Sequence, residues 1–295
     1  MAENTRKAYA TGLGSFAKFR AQYELEPVWP PSIDSIVLFV AWASIEGFTY
    51  RTVRLYVSAI GFHCKVKQCP DVSTHYVIQK ALDGLRKDGR GVRTRLPITH
   101  SILGSILLSL PSICINVYET RLFVAAYMLA FFAFLRVGEL AAKTKVCYKD
   151  VISISDVRMQ PDGNSFVLVI RNSKTDQLGF GTTLRICSTG RSLCPVKSMR
   201  LYLQQRPPFL GALLCHFNGA PLTRYEFTAV LKRALTRLKL EYSNYTSHSF
   251  RIGAATAAAM SGCSAEVIKQ AGRWRSEAYR VYIKLESVYT LPILS

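Results

Sequence analysis

Four short segments of this 295-residue chain carry side chains that could act on a phosphodiester, whose negative oxygens repel a nucleophile unless cations hold them. The first is FFAFLRVGEL, an apolar run ending in Arg136, with Glu139 three residues on. A guanidinium beside so much apolar surface must find an anion, and Glu139 at i,i+3 spacing is the internal candidate. The second is TSHSFR, where His248 and Arg251 share one helical face and precede a Gly/Ala-rich helix slim enough for close packing. The third is Lys174 in RNSKTDQ, between two strand-like runs, where a lysine taken alone reads as a solvated loop residue. The fourth, GRWRSEAYRVYIK, supplies Arg273, Trp274, Tyr279 and Tyr282.

Composition supports a polyanionic partner. Lys+Arg number 38 against 19 Asp+Glu, giving a net charge of +19, while 49% hydrophobic residues exclude a disordered basic tail. Nucleic acid is the expected partner and an anionic membrane the competitor. No bilayer-spanning helix is expected, because the longest apolar run, Leu122 to Leu135, is shorter than the roughly 20 residues required. The opening MAENTRKAYA lacks a signal peptide's apolar stretch, so an intracellular, reducing setting is expected, with the nucleus as the destination in a eukaryotic host. Eight scattered cysteines without a CxxC pair, and only five histidines, read as core thiols and not as a metal centre. No metal and no cofactor are expected.

The elements that must position these residues are mainly helices. Tyr9, Leu13, Phe16 and Phe19 fall at helical spacing, and Ser32 and Thr49 cap the next two helices. A fourth, about Val77 to Leu85, completes an N-terminal bundle over residues 1–90. RKDGRGVRTR then breaks the pattern, and residues 91–95 are read as a basic linker. Through Arg95 there are 14 basic and 8 acidic residues, and beyond it 24 and 11, so both halves are basic and suited to grip one polyanion. The second domain, 96–295, opens with a helix capped by Thr99 and another running from about Tyr118 through Phe134. VISISDV, SFVLVIR and TTLRIC then read as three strands of a small antiparallel sheet. Helices resume at Pro195 and Thr223, and three more follow. The fold class is therefore mainly α with a small antiparallel β-sheet. Arg51, Arg54, Arg86, Lys87, Arg90, Arg93, Arg95, Lys232 and Arg233 are the candidate DNA contacts.

In this order the four segments resemble the tyrosine recombinase, or phage integrase, family. The wording TSHSFRIGAATAAA and AGRWRSEAYRVYIK is most similar to recombinases of DIRS-like and Ngaro-like retroelements. The resemblance implies a helical N-terminal DNA clamp, a catalytic domain, and site-specific cleavage and rejoining of double-stranded DNA by a homo-oligomer, a tetramer on DNA. It further implies Arg136, Lys174, His248, Arg251, Trp274 and Tyr282 as catalytic residues, with Glu139 and Arg273 supporting. The family's His/Trp position lies nine residues before the nucleophile. Counting back from Tyr282 gives Arg273, but residue type favours Trp274, and Arg273 stays as the alternative. Tyr279 is the alternative nucleophile. By family pattern Tyr282 forms a 3′-phosphotyrosine link; by residue type Arg136 and Arg251 can each bind the non-bridging oxygens bidentately, His248 is the candidate acceptor of the Tyr282 proton, and Lys174 is suited to protonate the departing 5′-oxygen. The C-terminal tail SVYTLPILS is expected to dock either on its own domain or on a neighbouring protomer. Alternatives to recombination are strand passage of the type IB topoisomerase kind and a catalytically inactive DNA-binding derivative.

Overall fold

A computed structural model describes residues 1, 3–88, 95–171 and 180–284. Lys174, Arg90, Arg93 and the C-terminal tail, four features singled out by the sequence, lie outside the described residues. The chain forms two compact units, Met1–Arg93 and Thr94–Ser295.

The first unit is a bundle of α1 (Glu3–Gln22), α2 (Ile33–Ile45), α3 (Tyr50–Val66) and α4 (Tyr76–Lys87). The Ser32 hydroxyl accepts from the Ser35 N–H and the Thr49 hydroxyl from the Thr52 N–H, satisfying donors that the first turn of each helix leaves open. Phe16, Phe19, Phe39, Trp42 and Ile60 fill the core. Arg51 and Arg54 lie on the exposed side of α3. Arg86 pairs with Asp83 at 3.2 Å, and Lys87 is exposed.

The second unit contains α5 (His100–Ser109), α6 (Val117–Phe132), the short α7 (Val137–Leu140), α8 (Pro195–Leu203), α9 (Arg224–Arg237), α10 (His248–Met260) and α11 (Ala265–Gly272). Between α7 and α8 run β1 (Val157–Met159), β2 (Ser165–Ile170) and β3 (Thr182–Cys187), paired antiparallel in the order β1-β2-β3. Ile170 faces Thr182 at the end of the β2–β3 ladder. Helix α6 is buried on most sides, and its Tyr127 meets Phe227 of α9 and Phe250 of α10 at ring-centroid distances of 4.9 and 5.2 Å. Among the described residues no helix is long and apolar enough to cross a membrane.

Three elements differ from the sequence expectation. Residues Ile154–Asp156 form a 3-10 turn where VISISDV reads as strand, because Asp156 accepts from the Ser153 N–H at 2.9 Å and closes a capping box. Helix α6 ends at Phe132, since Phe134 takes a positive φ of 49°, so Arg136 does not end the apolar helix but starts the next one. Glu277–Tyr282 is a 3-10 segment instead of an α-helix, and Thr256 of α10 receives its end: the Thr256 hydroxyl donates to the Tyr282 carbonyl and accepts from the Lys284 N–H.

Candidate active site

Helix α7 fixes the first two residues. The Glu139 carboxylate reaches back to the Arg136 backbone N–H at 2.9 Å while the Glu139 N–H donates to the Arg136 carbonyl at 2.8 Å. Arg136 Nη1 then donates to Glu139 Oε1 at 3.2 Å, so the internal pair suggested by their spacing is formed. The Glu139 side chain is 5% exposed and that of Arg136 23%, so Arg136 is the more accessible partner of the pair.

Helix α10 supplies the next two. Arg251 is fully buried, and its Nη1 and Nη2 donate to the carbonyls of Phe134 and Gly272, the latter at 2.8 Å. A guanidinium lifted out of water must satisfy its donors, and here carbonyls do so in place of a carboxylate. This corrects the expectation that Arg251 stands ready to grip two phosphate oxygens: both ends of its fork are occupied. Burial, and then the charges of Arg136 and Arg273, push its pKa down to about 10, so it stays cationic at neutral pH. His248, at the start of the same helix, is exposed on one side, and its pKa is lowered by desolvation and then by Arg251 and Arg136. Its ring is therefore neutral near pH 7.

Tyr282 closes the constellation. Its ring lies 4.8 Å from that of His248 and 4.7 Å from that of Trp274, with the Arg251 guanidinium 5.7 Å from its centroid. Trp274 also covers Arg251, 4.7 Å from guanidinium carbon to ring, and its buried indole Nε1 has no hydrogen-bond partner. Gly272 permits this approach, since a Cβ there would sit 1.7 Å from the Trp274 ring. Tyr279 is buried in the core, with the Lys269 ammonium 5.9 Å from its ring centroid.

Of the sequence-predicted site residues, the structure thus gathers Arg136, Glu139, His248, Arg251, Arg273, Trp274 and Tyr282. The two readings of the His/Trp position separate physically: Trp274 packs against Tyr282 with the rings tilted by 53°, whereas Arg273 Nη2 donates to Glu139 at 2.8 Å. Among the other nominated cations, Lys232 and Arg233 are exposed on α9. Lys232 stands 4.0 Å above the Tyr242 ring, and Arg233 gives one donor to the Ile113 carbonyl. Arg95 donates to the Ser243 carbonyl at 2.8 Å. One exposed cation beside the site escaped the motif reading: Arg224, at the start of α9, donates to the Ala141 carbonyl at 3.2 Å and crosses Gly138, where a Cβ would meet its Nη2 at 2.9 Å. The Thr223–Glu226 capping box that sets Arg224 at the first helical position was the available signal.

No protein-family model matches the chain, and no curated protein matches it in sequence. Solved structures do match it in fold. The Tn1549 transposon integrase in complex with transposon right end DNA aligns with a TM-score of 0.68 and 13% identity, covering 98% of this chain and 92% of that one. A lambda integrase dimer bound to a COC′ core site gives 0.66 and 16%, over 96% of this chain and 72% of that one. The XerH site-specific recombinase bound to palindromic difH substrate gives 0.68 and 15%, over 94% and 75%. The chain has the fold of these integrases and recombinases, mainly helical with a small antiparallel sheet.

Proposed function

We propose that the chain is a site-specific DNA recombinase that cleaves and rejoins strands through Tyr282. The observation that carries this reading is the enclosure of one tyrosine by His248, Trp274 and the buried Arg251, with Arg136 beside them. A tyrosine needs such surroundings to attack phosphorus, because its hydroxyl, with an ordinary pKa near 10, is protonated at neutral pH.

In the proposed step the Tyr282 oxygen bonds to phosphorus as its proton passes to the neutral His248, and the bond from phosphorus to the 5′-oxygen breaks. That oxygen leaves as a hydroxyl with a proton from Lys174, and the 3′-phosphate stays on Tyr282. Arg136 holds the non-bridging oxygens, Arg251 adds its positive charge from beneath the site with Nε the one nitrogen its carbonyl partners leave free, and Trp274 Nε1 adds a further donor. The phosphotyrosine bond conserves the energy of the original linkage, so attack by a different 5′-hydroxyl exchanges strands without ATP.

The +19 charge fits an extended DNA surface, with contributions from both units. The motif wording further supports a recombinase of the DIRS-like or Ngaro-like kind, working as a tetramer on double-stranded DNA and in the nucleus of a eukaryotic host. The test is to incubate the protein with fragmented genomic DNA and with nicked duplexes, recover DNA covalently bound to protein, and sequence it. Recurrent ends joined through a 3′-phosphate to Tyr282 support the reading. Absence of any covalent species on nicked DNA overturns it.

A further inference from the structure

Glu139 serves two guanidiniums at once. Its Oε1 accepts from Arg136 Nη1 at 3.2 Å, and its Oε2 accepts from the Arg136 backbone N–H at 2.9 Å and from Arg273 Nη2 at 2.8 Å. Arg273 has little else to offer a substrate. Its side chain is 7% exposed, Nη1 and Nη2 also lean on the Ala133 and Phe134 carbonyls at 3.4 and 3.3 Å, and its Nε is buried. Arg136 is the opposite case, held to Glu139 by a single long side-chain bond and given no other side-chain hydrogen bond among the described residues.

We infer that Arg273 is a positioning residue that occupies one oxygen of Glu139, so that Arg136 keeps its guanidinium edge and its net charge for the phosphate. This rests on the recombinase reading of the site and assigns Arg273 a task distinct from phosphate contact. A carboxylate and a guanidinium left to themselves form a bidentate pair, which would turn Arg136 inward and cancel its charge. A second cation on Oε2 prevents this. The backbone supports the arrangement: Arg273 ends α11 in the left-handed region, φ 55° and ψ 44°, which aims its side chain at α7 while Trp274 folds back over Arg251. Arginine and alanine bear that conformation at similar cost, so replacing the side chain does not change the strain.

The test measures the rate of covalent adduct formation on a nicked duplex, with DNA affinity and melting temperature recorded for each variant. Arg273→Ala should slow the adduct step by about 100-fold, as expected for a lost oxyanion donor, with DNA affinity close to wild type. In a Glu139→Gln background, where no carboxylate remains to capture Arg136, the same substitution should cost only a few-fold. Millimolar guanidinium added to Arg273→Ala should restore part of the rate, and Arg273→Lys, with one donor on Oε2, should fall between. An equal loss from Arg273→Ala in both backgrounds, or a wild-type rate in Arg273→Ala, overturns the inference. If wild type forms no adduct, or Tyr282→Phe forms one, the recombinase reading itself fails, and that outcome is visible before Arg273 is touched. Should Arg273→Ala melt too low to assay, Arg273→Lys and Arg273→Gln carry the same comparison across the two backgrounds.

Discussion

The hydroxyl of Thr256, on the helix that carries His248 and Arg251, donates to the backbone carbonyl of Tyr282 at 3.2 Å. It also accepts from the Lys284 N–H at 3.0 Å, so one buried side chain fixes the chain on both sides of residue 283. The element bearing Tyr282 is a short 3-10 segment with weak internal bonding, and this clamp sets where the phenol lies relative to α10. Thr256→Val keeps the shape and removes both bonds, which leaves a half-buried carbonyl and N–H without these partners, a cost of about 1 kcal/mol. The expected result is an adduct rate reduced about tenfold or more with DNA affinity retained. A wild-type rate in that variant would show that Tyr282 is held by other contacts.

Tyr282→Phe should abolish covalent attachment to DNA and leave binding nearly intact, because only the attacking oxygen is lost. Tyr279→Phe should retain attachment, since Tyr279 is buried away from Arg251 and His248. Mass spectrometry of the nuclease-trimmed adduct assigns the residue, and a phosphate on Tyr279 would shift the proposed register by one turn.

The pH profile follows from His248. Its pKa lies below the ordinary 6.5 because burial and the neighbouring cations disfavour the imidazolium. A base must be neutral to accept the Tyr282 proton, so the rate should be flat near pH 7 and fall as pH drops through that lowered pKa, approaching tenfold per pH unit. Adduct rates at sub-saturating DNA report the free protein, and the acid limb should vanish in His248→Gln. A limb centred above 6.5, or one surviving that substitution, assigns the proton to another group.

Much of this arrangement is legible in the sequence, for identifiable reasons. Ser32, Thr49, Thr99 and Thr223 announce helix starts because each side chain satisfies an open N–H of the first turn, a strictly local event. His248 and Arg251 share a face by helical spacing alone. The division of labour between Arg273 and Trp274 is not legible, because it depends on a left-handed residue at 273 and on a glycine at 272 that lets the indole fold back. The occupied fork of Arg251 is equally hidden, since the Phe134 carbonyl that fills it is presented by a helix end 117 residues away. Ile154–Asp156 misleads because its β-branched alternation has the pattern of a strand while the Ser153–Asp156 capping box closes a 3-10 turn.

Close packing in the second unit makes a stability prediction. A Cβ on Gly253 of α10 would lie 1.8 Å from the Ile98 carbonyl oxygen and 2.7 Å from its carbon, and backbone cannot swing aside as a side chain can. The Ile98 N–H also donates to the Ser249 carbonyl at 3.0 Å, tying that strand of chain to the helix. Gly253→Ala should therefore lose about 1–3 kcal/mol or more, read as a melting temperature several degrees lower. Gly104→Ala in α5, whose Cβ would meet only Leu193 at 4.0 Å, should instead gain about 0.5–1 kcal/mol from reduced chain entropy. Equal melting temperatures for the two variants would contradict the packing described around Ile98.

The last prediction concerns the proton given to the departing strand. Lys174 lies outside the described residues, but strands β2 and β3 that flank its segment are paired through Ile170 and Thr182. At the base of β2, Arg171 is bound to the buried Asp156 at 2.6 Å. If Lys174 is the acid, Lys174→Ala should slow cleavage of ordinary DNA by about 10²–10⁴, because an alkoxide is a poor leaving group. A substrate with sulfur in place of the bridging 5′-oxygen departs as a thiolate, whose conjugate acid, near 8.5 in cysteine, needs no donor at neutral pH. Lys174→Ala and wild type should then cleave the sulfur substrate at rates within about tenfold of each other, a difference of 1.4 kcal/mol. A Lys174→Ala defect that persists undiminished on sulfur would make Lys174 a phosphate contact. The proton would then have to come from another donor at the site.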